Sequence, residues 1–137
     1  MTAVLCLANN NGLSFNGRRV SRDIKVSEEI VERAGAAPLL ITPAAAPVFS
    51  GVNARMGITP DFSGPLPANA VCFFDTAPPA DVSRFDAVEL YRWGRDYPAD
   101  VFFAADLPAL GFRLTESAVF AGNSHPEITR EVYIRET

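Results

Sequence analysis

The sequence predicts a single α/β domain, residues 1–137, built around one mixed β-sheet. Apolar runs at residues 2–8, 39–41 and 71–74 do not alternate with polar residues, which is typical of strands buried on both faces. The segment 24–34 carries one apolar stripe at helical spacing and is expected to be an amphipathic helix. From residue 128 to 135 apolar and polar side chains alternate, which indicates a half-buried antiparallel strand at residues 127–135, at or near an edge.

Length and composition are those of one ordinary globular domain. The chain has 137 residues, of which 48% are hydrophobic and 20% are charged, so it can bury a core of its own. The net charge of −4 argues against a nucleic-acid partner, because such a protein needs a basic face. No apolar run is long enough to span a membrane and no signal peptide is recognised, so no membrane association is expected. The oligomeric state is left open.

The two cysteines favour a reducing compartment. Cys6 and Cys72 each lie inside an apolar, strand-like run, where a free thiol packs as a small hydrophobic group. They do not have the spacing of metal ligands, and strand burial argues against a Cys–His nucleophile pair. The sequence therefore predicts a cytoplasmic protein without a bound metal.

A polar loop, residues 9–19, separates the first strand from the helix. Asparagines followed by a glycine at residues 9–12 form a turn signal that ends the strand. The loop also carries two adjacent arginines, Arg18 and Arg19. They are either solvated loop charges or, beside a helix N-terminus, a pair suited to a carboxylate or phosphate. A mobile polar loop after a buried strand is a common place for a ligand pocket.

The start of the helix brings an acidic side chain next to this loop. Ser21 is a suitable N-cap, which would place Asp23 in the first helical turn, and Ser27 offers a later start. Gly35 is expected to end the helix. Asp23 either stabilises its helix through the dipole, by about 0.5 kcal/mol, or accepts a hydrogen bond from a ligand.

The middle third of the chain is rich in proline. Eight of the 11 prolines lie within residues 38–79, so this region is expected to be mostly loop with one or two short helical turns. Residues 71–74 form its clearest strand, and residues 81–85 are expected to make one further helical turn. Additional strands are expected at residues 87–93, 101–103 and 112–114.

Aromatic and basic residues are mixed in the segment 91–97. Arg92, Trp93 and Arg95 either stack a planar ligand, as a second wall of the pocket, or form a strand end packed on the core. His125 is expected to be a turn residue.

The two ends of the chain carry a family resemblance. At the front, the first strand, Asn11 and Gly12, and the segment 20–25 match the first strand, substrate loop and helix start of a known enzyme family. Matches to that family's last strands and their connections are found at residues 89–91, 97–103, 112–117 and 131–135. The family that these segments resemble is dihydrofolate reductase. The resemblance implies that fold, shortened in the middle, with Asp23 where the family keeps its substrate-binding acid.

The middle of the chain departs from this family at its cofactor-binding motifs. Residues 75–79 stand where the family has the Gly-Gly turn that approaches the nicotinamide cofactor. Residues 42–47 replace the Gly-Arg-x-Thr run that grips the cofactor phosphates, and they contain no basic side chain. The tryptophan expected just before the helix is also missing. These departures imply that NADPH binds weakly or not at all, and that no cofactor is bound.

A second similarity runs nearly end to end. The chain shares an Asn-Asn-Gly…Phe-Asn-x-Arg-Arg-x-Ser-x-Asp loop, the segment 91–100 and a Ser-His…Ile-Thr-x-Glu-Val-Tyr ending with a group of short bacterial proteins often labelled ribonuclease Z. We reject that label, because such a two-zinc hydrolase needs a His-x-His-x-Asp-His cluster and further ligands. His125 is the only histidine, so the protein is not expected to be a metallo-hydrolase.

Two functional hypotheses follow. In the first, the chain binds a pterin-, nucleotide- or anion-like small molecule between the loop and the helix start, without NADPH-dependent activity. In the second, it is a non-catalytic partner-binding or assembly protein of the same fold. We expect the two loop arginines to hold Asp23 ionised, which suits that carboxylate to recognition rather than to proton donation. The predicted pocket walls are Asn11, Asn16, Arg18, Arg19, Ser21 and Asp23.

Overall fold

A seven-stranded mixed sheet forms the centre of the computed structural model, which describes residues 1–136. The elements in chain order are β1 (Thr2–Leu7), β2 (Gly12–Phe15), β3 (Arg18–Arg19), α1 (Ile24–Ala34), β4 (Leu39–Ile41), β5 (Met56–Ile58), β6 (Val71–Phe74), β7 (Ala87–Arg92), β8 (Val101–Phe102), β9 (Phe112–Phe120) and β10 (Ile128–Arg135). The spatial order of the large sheet is β5-β4-β6-β1-β7-β10-β9. The first five of these strands are parallel, and β10 is antiparallel to both of its neighbours.

The centre of the sheet is buried on both faces, which explains the uninterrupted apolar runs. Along β1, Ala3, Leu5 and Leu7 pack into one apolar cluster. Val4 and Cys6 belong to a second cluster, as the alternation of side chains along a strand requires. The predicted mixed sheet, with its first strand central and its C-terminal strand beside an edge, is confirmed.

Helix α1 has the predicted bounds but a different N-cap. Asp23 caps the helix and accepts a hydrogen bond from the backbone N–H of Lys25, so Asp23 precedes the first turn instead of lying within it. Ser21 is not the cap, because its hydroxyl is hydrogen-bonded to His125. Gly35 ends the helix at φ 57°, a left-handed conformation that suits glycine.

The segment predicted as a polar loop contains a β-hairpin. Strands β2 and β3 pair around Asn16 and Gly17, which have φ values of 52° and 75°, and two positive φ values are typical of a tight hairpin turn. Strand β8 pairs with the other side of β2, so Val101–Phe102 joins a small three-stranded sheet and not the large one. The prediction missed this hairpin because its strands are short.

The proline-rich region is mostly irregular, as expected. It contains a 3-10 helix, Pro43–Phe49, and a short 3-10 helix follows at Val82–Arg84. Strand β5 was not predicted, because it has only three residues, its last two are exposed, and it lacks an apolar pattern. Strand β9 extends well beyond the predicted residues 112–114, because an exposed edge strand tolerates polar side chains.

No helix of the described residues is both long and apolar enough to cross a lipid bilayer.

Candidate functional site

The candidate site lies where the carboxyl ends of the parallel strands meet the hairpin and the start of α1. Thr42 follows β4 and Asp75 follows β6, while Arg19 comes from β3 and Asp23 from the helix cap. In open α/β sheets, the carboxyl ends of the strands are the usual position of a ligand crevice.

Asp23 is buried and its carboxylate is fully engaged within the protein. Only 4% of the residue is exposed. Its Oδ1 accepts from the backbone N–H groups of Lys25 and Asn123, both at 2.9 Å. Its Oδ2 accepts from the backbone N–H of Ser124 at 2.8 Å, from the Ser124 hydroxyl at 3.2 Å and from Nδ1 of His125 at 2.9 Å. Both oxygens are therefore occupied by protein donors.

These donors, and not the loop arginines, keep Asp23 ionised. Burial raises the pKa of the Asp23 carboxyl, but hydrogen bonds from three backbone amides and from His125 outweigh burial and hold the pKa well below its usual range. The expectation that Arg18 and Arg19 ionise Asp23 is wrong. Arg18 is exposed, and the Arg19 guanidinium is bound to another carboxylate.

That other carboxylate belongs to Asp75. Arg19 donates from Nε to Oδ1 and from Nη2 to Oδ2 of Asp75, both at 2.9 Å, which is a bidentate geometry. The Nη2 group also donates to the backbone oxygen of Ala44 at 2.6 Å. The hydrogen bonds that Arg19 donates to the Asp75 carboxylate raise the pKa of Arg19 further above its already high value. Sequence reasoning missed Asp75, although an acid directly after a buried parallel strand was an available signal.

His125 lies at the centre of the site. It is in the connection between β9 and β10, as expected of a turn residue, but its side chain is only 3% exposed. Its Nε2 lies 2.8 Å from the Ser21 hydroxyl and 3.1 Å from the Tyr97 hydroxyl. The Trp93 ring stacks on the imidazole with centroids 4.6 Å apart and an interplanar angle of 30°. Local sequence gave no sign of this role, because the partners of His125 are distant in the chain.

A small cavity brings part of the predicted pocket together. Its walls include Arg19, Ser21, Asp23 and Trp93, together with the unpredicted Asp75. Its volume is about 10 Å³, which is close to the space that one water molecule needs. This cavity accommodates a single atom or water and not a whole ligand.

A larger cleft adjoins the small cavity. It has a volume of about 430 Å³ and shares Phe74 and Asp75 with the small cavity. The Phe74 ring lies between two others, with centroids 4.5 Å from Phe62 and 5.6 Å from Phe85. The rest of the lining comes from Thr42 and from residues 60–63, 75–81 and 84.

Three predicted wall residues lie elsewhere. Asn11 lines a separate cavity, and its side-chain oxygen accepts from Arg92 at 2.7 Å. Asn16 and Arg18 are exposed at the hairpin. The pairing of β2 with β3 turns this end of the segment away from the helix start, which the loop prediction did not anticipate.

The three residues predicted as a second wall do not lie together. Trp93 is 2% exposed and lines the small cavity. Arg92 instead donates to Glu131 at 2.7 Å, while Arg95 is exposed and donates to the backbone oxygen of Ser124 at 3.2 Å. Only Trp93 of this group therefore faces the site.

The thiols and acids do not form a metal centre. Burial raises the pKa of the Cys72 thiol to about 11 and raises the pKa of Cys6 even further, which disfavours the thiolate forms that bind metals. Within residues 1–136, no group of three or more His, Cys, Asp or Glu side chains is arranged to hold a metal ion.

Comparison with known proteins identifies the fold. No protein-family model matches the chain, and no curated protein matches it. Among solved structures, it is similar to dihydrofolate reductase from Enterococcus faecalis complexed with NADP(H) and RAB-propyl, with a TM-score of 0.67 and 11% sequence identity. The alignment covers 99% of this chain and 96% of that chain. The fold is dihydrofolate reductase-like. At this identity the likeness extends to the fold alone, and the fold predicted from the two ends of the sequence is confirmed.

Proposed function

We propose that this chain binds a small planar heterocycle of the pterin or nucleobase kind, without NADPH-dependent reduction. The observation that carries the proposal is the cleft of about 430 Å³ at the carboxyl ends of β4 and β6, a volume within the usual range of small-molecule sites. Its aromatic walls suit a flat ligand. The cleft reaches the helix start through Asp75, so the ligand would lie beside the predicted pocket residues Arg19, Ser21 and Asp23.

The Arg19–Asp75 pair can recognise the polar edge of such a ligand. Arg19 uses Nε and Nη2 within the protein, while Nη1 has no hydrogen-bond partner among residues 1–136. The Asp75 carboxylate accepts one bond at each oxygen and has further acceptor capacity. A ligand edge with a donor beside an acceptor, as in an amino-pyrimidinone, complements both groups. The sequence suggested Asp23 for recognition of a ligand, but both of its carboxylate oxygens accept from protein donors. In this proposal Asp75 therefore takes that role.

The charges around the cleft oppose a dinucleotide. Asp61, Asp75 and Asp81 line it, and Arg84 is the basic residue that faces them. The Arg84 guanidinium already donates to the backbone oxygens of Phe62 and Gly64. A pyrophosphate would therefore meet carboxylates in place of the free basic groups and helix amides that usually bind it.

A thermal-shift titration tests the proposal. We expect pterin, guanosine or another neutral heterocycle to raise Tm by several degrees at saturation, because a ligand specific for the native state adds about 2.7 kcal/mol at 100 times Kd. NADPH and inorganic phosphate should produce no comparable shift. Asp75→Asn should weaken the heterocycle at least about tenfold, the equivalent of one lost charge-assisted hydrogen bond. Asp96→Asn is the matched control, because Asp96 is exposed and lines none of the cavities described above. Low-micromolar NADPH affinity, or no response to any heterocycle, would contradict the proposal.

A partner-binding role is the second candidate, and one surface favours it. Strand β9 is the edge of the large sheet, and Leu114 and Val119 on it are 46% and 64% exposed. An exposed edge strand with apolar side chains can pair with another chain. Light scattering across a concentration series tests this candidate: a dimer that Val119→Asp dissociates would support it, and a monomer at all concentrations would oppose it.

The cytoplasm is the compartment that we propose for this protein. Cys6 and Cys72 are both free thiols, and thiols persist in the reducing cytoplasm, whereas they tend to be oxidised outside it. Fractionation of cells that express the tagged chain would check the location.

A further inference from the structure

The hydrogen-bonded series Asp23–His125–Ser21 has the arrangement of an activated serine. We propose that Ser21 is a nucleophile and that the protein hydrolyses small carboxylic esters through an acyl-serine intermediate. This activity goes beyond the proposed ligand binding and does not depend on it. Neither the fold nor the comparisons assign a nucleophile to this chain.

The atoms are joined in the order that general-base catalysis needs. Asp23 Oδ2 lies 2.9 Å from Nδ1 of His125, and Nε2 lies 2.8 Å from Oγ of Ser21. An ionised carboxylate only accepts hydrogen bonds, so Nδ1 carries the imidazole proton and Nε2 presents its lone pair to the serine hydroxyl. Both distances are within the range found for nucleophile–base pairs.

The base is held rigidly. Three backbone amides fix the Asp23 carboxylate, and that carboxylate fixes the tautomer and orientation of His125. The stacked Trp93 ring restricts rotation of the imidazole, which is 3% exposed. Ser21 itself is half-buried on the wall of the small cavity. Such preorganisation lets a proton move without rearrangement of the surrounding groups.

The small cavity supplies a place for the carbonyl oxygen of the ester. Ser21 and Trp93 both line it, and its volume of about 10 Å³ fits one oxygen atom. The indole Nε1 of Trp93 is buried and has no hydrogen-bond partner in the described part of the chain. Buried donors are almost always paired, so this N–H points to a missing acceptor. An oxyanion formed at Ser21 would be that acceptor.

A neighbouring cleft can hold the rest of a small substrate. It has a volume of about 330 Å³ and shares Arg22, Asp23 and Val48 with the small cavity. This volume suits a short acyl group or a small alcohol. The substrate class is therefore a small ester.

The reaction proceeds in two balanced halves. Ser21 Oγ forms a bond to the ester carbonyl carbon while its proton passes to Nε2 of His125, and the carbonyl electron pair moves to oxygen. When the tetrahedral species collapses, the bond to the leaving alkoxy group breaks and His125 returns the proton to that group. Water then attacks the acyl carbon, gives one proton to Nε2, and the acid departs as that proton returns to Oγ. The net reaction is ester plus water to acid plus alcohol, with no other reactant.

Covalent labelling with diisopropyl fluorophosphate tests the proposal on the full chain. We expect a single diisopropylphosphoryl adduct, located at Ser21 by peptide mass spectrometry, together with release of p-nitrophenol from p-nitrophenyl acetate. Ser21→Ala should abolish both signals, and because it removes only one hydroxyl it should remain folded. His125→Gln and Asp23→Asn should each slow labelling at least about 100-fold, the usual effect of losing a general base.

The matched control is Ser14→Ala. Ser14 is a buried serine whose hydroxyl donates to the backbone oxygen of Thr76 at 2.7 Å, and it does not touch His125, so this variant should label at the wild-type rate. The proposal is overturned by an unlabelled wild-type protein, by an adduct at another residue, or by unchanged labelling in a folded His125→Gln variant. The wild-type result decides the question even if the His125 and Asp23 variants are unstable.

Discussion

Asp23 joins two distant parts of the chain through one carboxylate. Its two oxygens accept from the backbone N–H of Lys25 in the first turn of α1 on one side, and from those of Asn123 and Ser124 on the other. A buried acceptor with this many donors rigidifies its surroundings, because each donor would otherwise be left unpaired. The residue is thus a cross-link as well as the orienting group for His125.

Replacing this carboxylate should be costly. We expect Asp23→Asn to lower the free energy of unfolding by about 2–4 kcal/mol at pH 7, because its NH₂ group would face protein donors where a charged acceptor stood. Urea unfolding measures the loss, and Asp96→Asn, at an exposed site, should change stability by less than about 0.5 kcal/mol.

The stability that the Asp23 carboxylate contributes should depend on pH. Hydrogen bonding lowers the pKa of Asp23 in the folded state despite the opposing effect of burial. Its contribution is therefore fully present above the unfolded pKa, near about 4, and is lost as the pH falls toward the folded pKa. The stability difference between wild type and Asp23→Asn should shrink steadily below about pH 4. A difference that stayed constant from pH 7 to pH 3 would show that ionisation of Asp23 does not stabilise the fold.

The bidentate contact between Arg19 and Asp75 should also contribute to stability. We expect Arg19→Lys to lower the free energy of unfolding by about 1–2 kcal/mol, because lysine keeps the charge but cannot form the bidentate contact. Arg113→Lys is the control, since Arg113 is 70% exposed in its side chain and pairs with Glu136 at the surface. Equal effects of the two substitutions in urea unfolding would contradict a specific role for the bidentate pair.

At the scale of elements, the connection between β9 and β10 is shaped around Asp23. A Cβ atom at Gly122 would lie 2.6 Å from Oδ2 of Asp23 and 2.5 Å from Cδ1 of Ile128. Only a residue without a side chain allows the turn to approach the carboxylate this closely. The turn thereby brings His125 onto the helix start.

Adding that Cβ should disturb the site. We expect Gly122→Ala to lower the free energy of unfolding by about 1–3 kcal/mol through overpacking, and also to reduce any labelling of Ser21. Gly64→Ala is the matched control, because a Cβ there meets nothing within 4 Å. Thermal melting of both variants measures the difference, and a Gly122→Ala protein as stable as Gly64→Ala would show that the close approach is not required.

Element by element, the sequence was informative wherever a local pattern decides the structure. The bounds of α1, β4 and β6 follow from an amphipathic stripe and from apolar runs, and they match the predicted residues. Strand β5 forms because it pairs with β4, which lies earlier in the chain, and no local pattern reveals this. Strand β8 was predicted from its apolar residues, but its pairing with β2 in the small sheet was not. Contacts between residues distant in the chain also explain which site residues were not predicted.

In the site, local motifs identified Asp23 and Ser21 but not His125 or Asp75. Asp23 and Ser21 stand out as polar residues beside a helix start, where local cap rules apply, although the cap is Asp23 and not Ser21. His125 and Asp75 become site residues only after the sheet has formed, since their contacts with Asp23 and Arg19 span 102 and 56 positions. Long-range contacts of this kind are set by topology and not by neighbouring residues.

For the whole molecule, the parallel strand order gathers these distant segments at one edge. The central strand β1 lies between β6 and β7, so Asp75 and Trp93, which follow those two strands, flank the site from opposite sides. Trp93 is the single tryptophan of the chain and is 2% exposed. Its fluorescence therefore reports on the site, while circular dichroism reports on the entire fold.

This arrangement predicts one cooperative unfolding transition. We expect the urea midpoints from Trp93 fluorescence and from far-UV circular dichroism to coincide in the wild-type protein, because Asp23 and His125 tie the helix start to the last hairpin. In Gly122→Ala, which loosens this tie, the fluorescence transition should move to lower urea than the circular dichroism transition. The Gly64→Ala control should keep the two transitions together. If they separate already in the wild-type protein, the site opens before the rest of the fold, and the cross-link is weaker than its burial and hydrogen bonds imply.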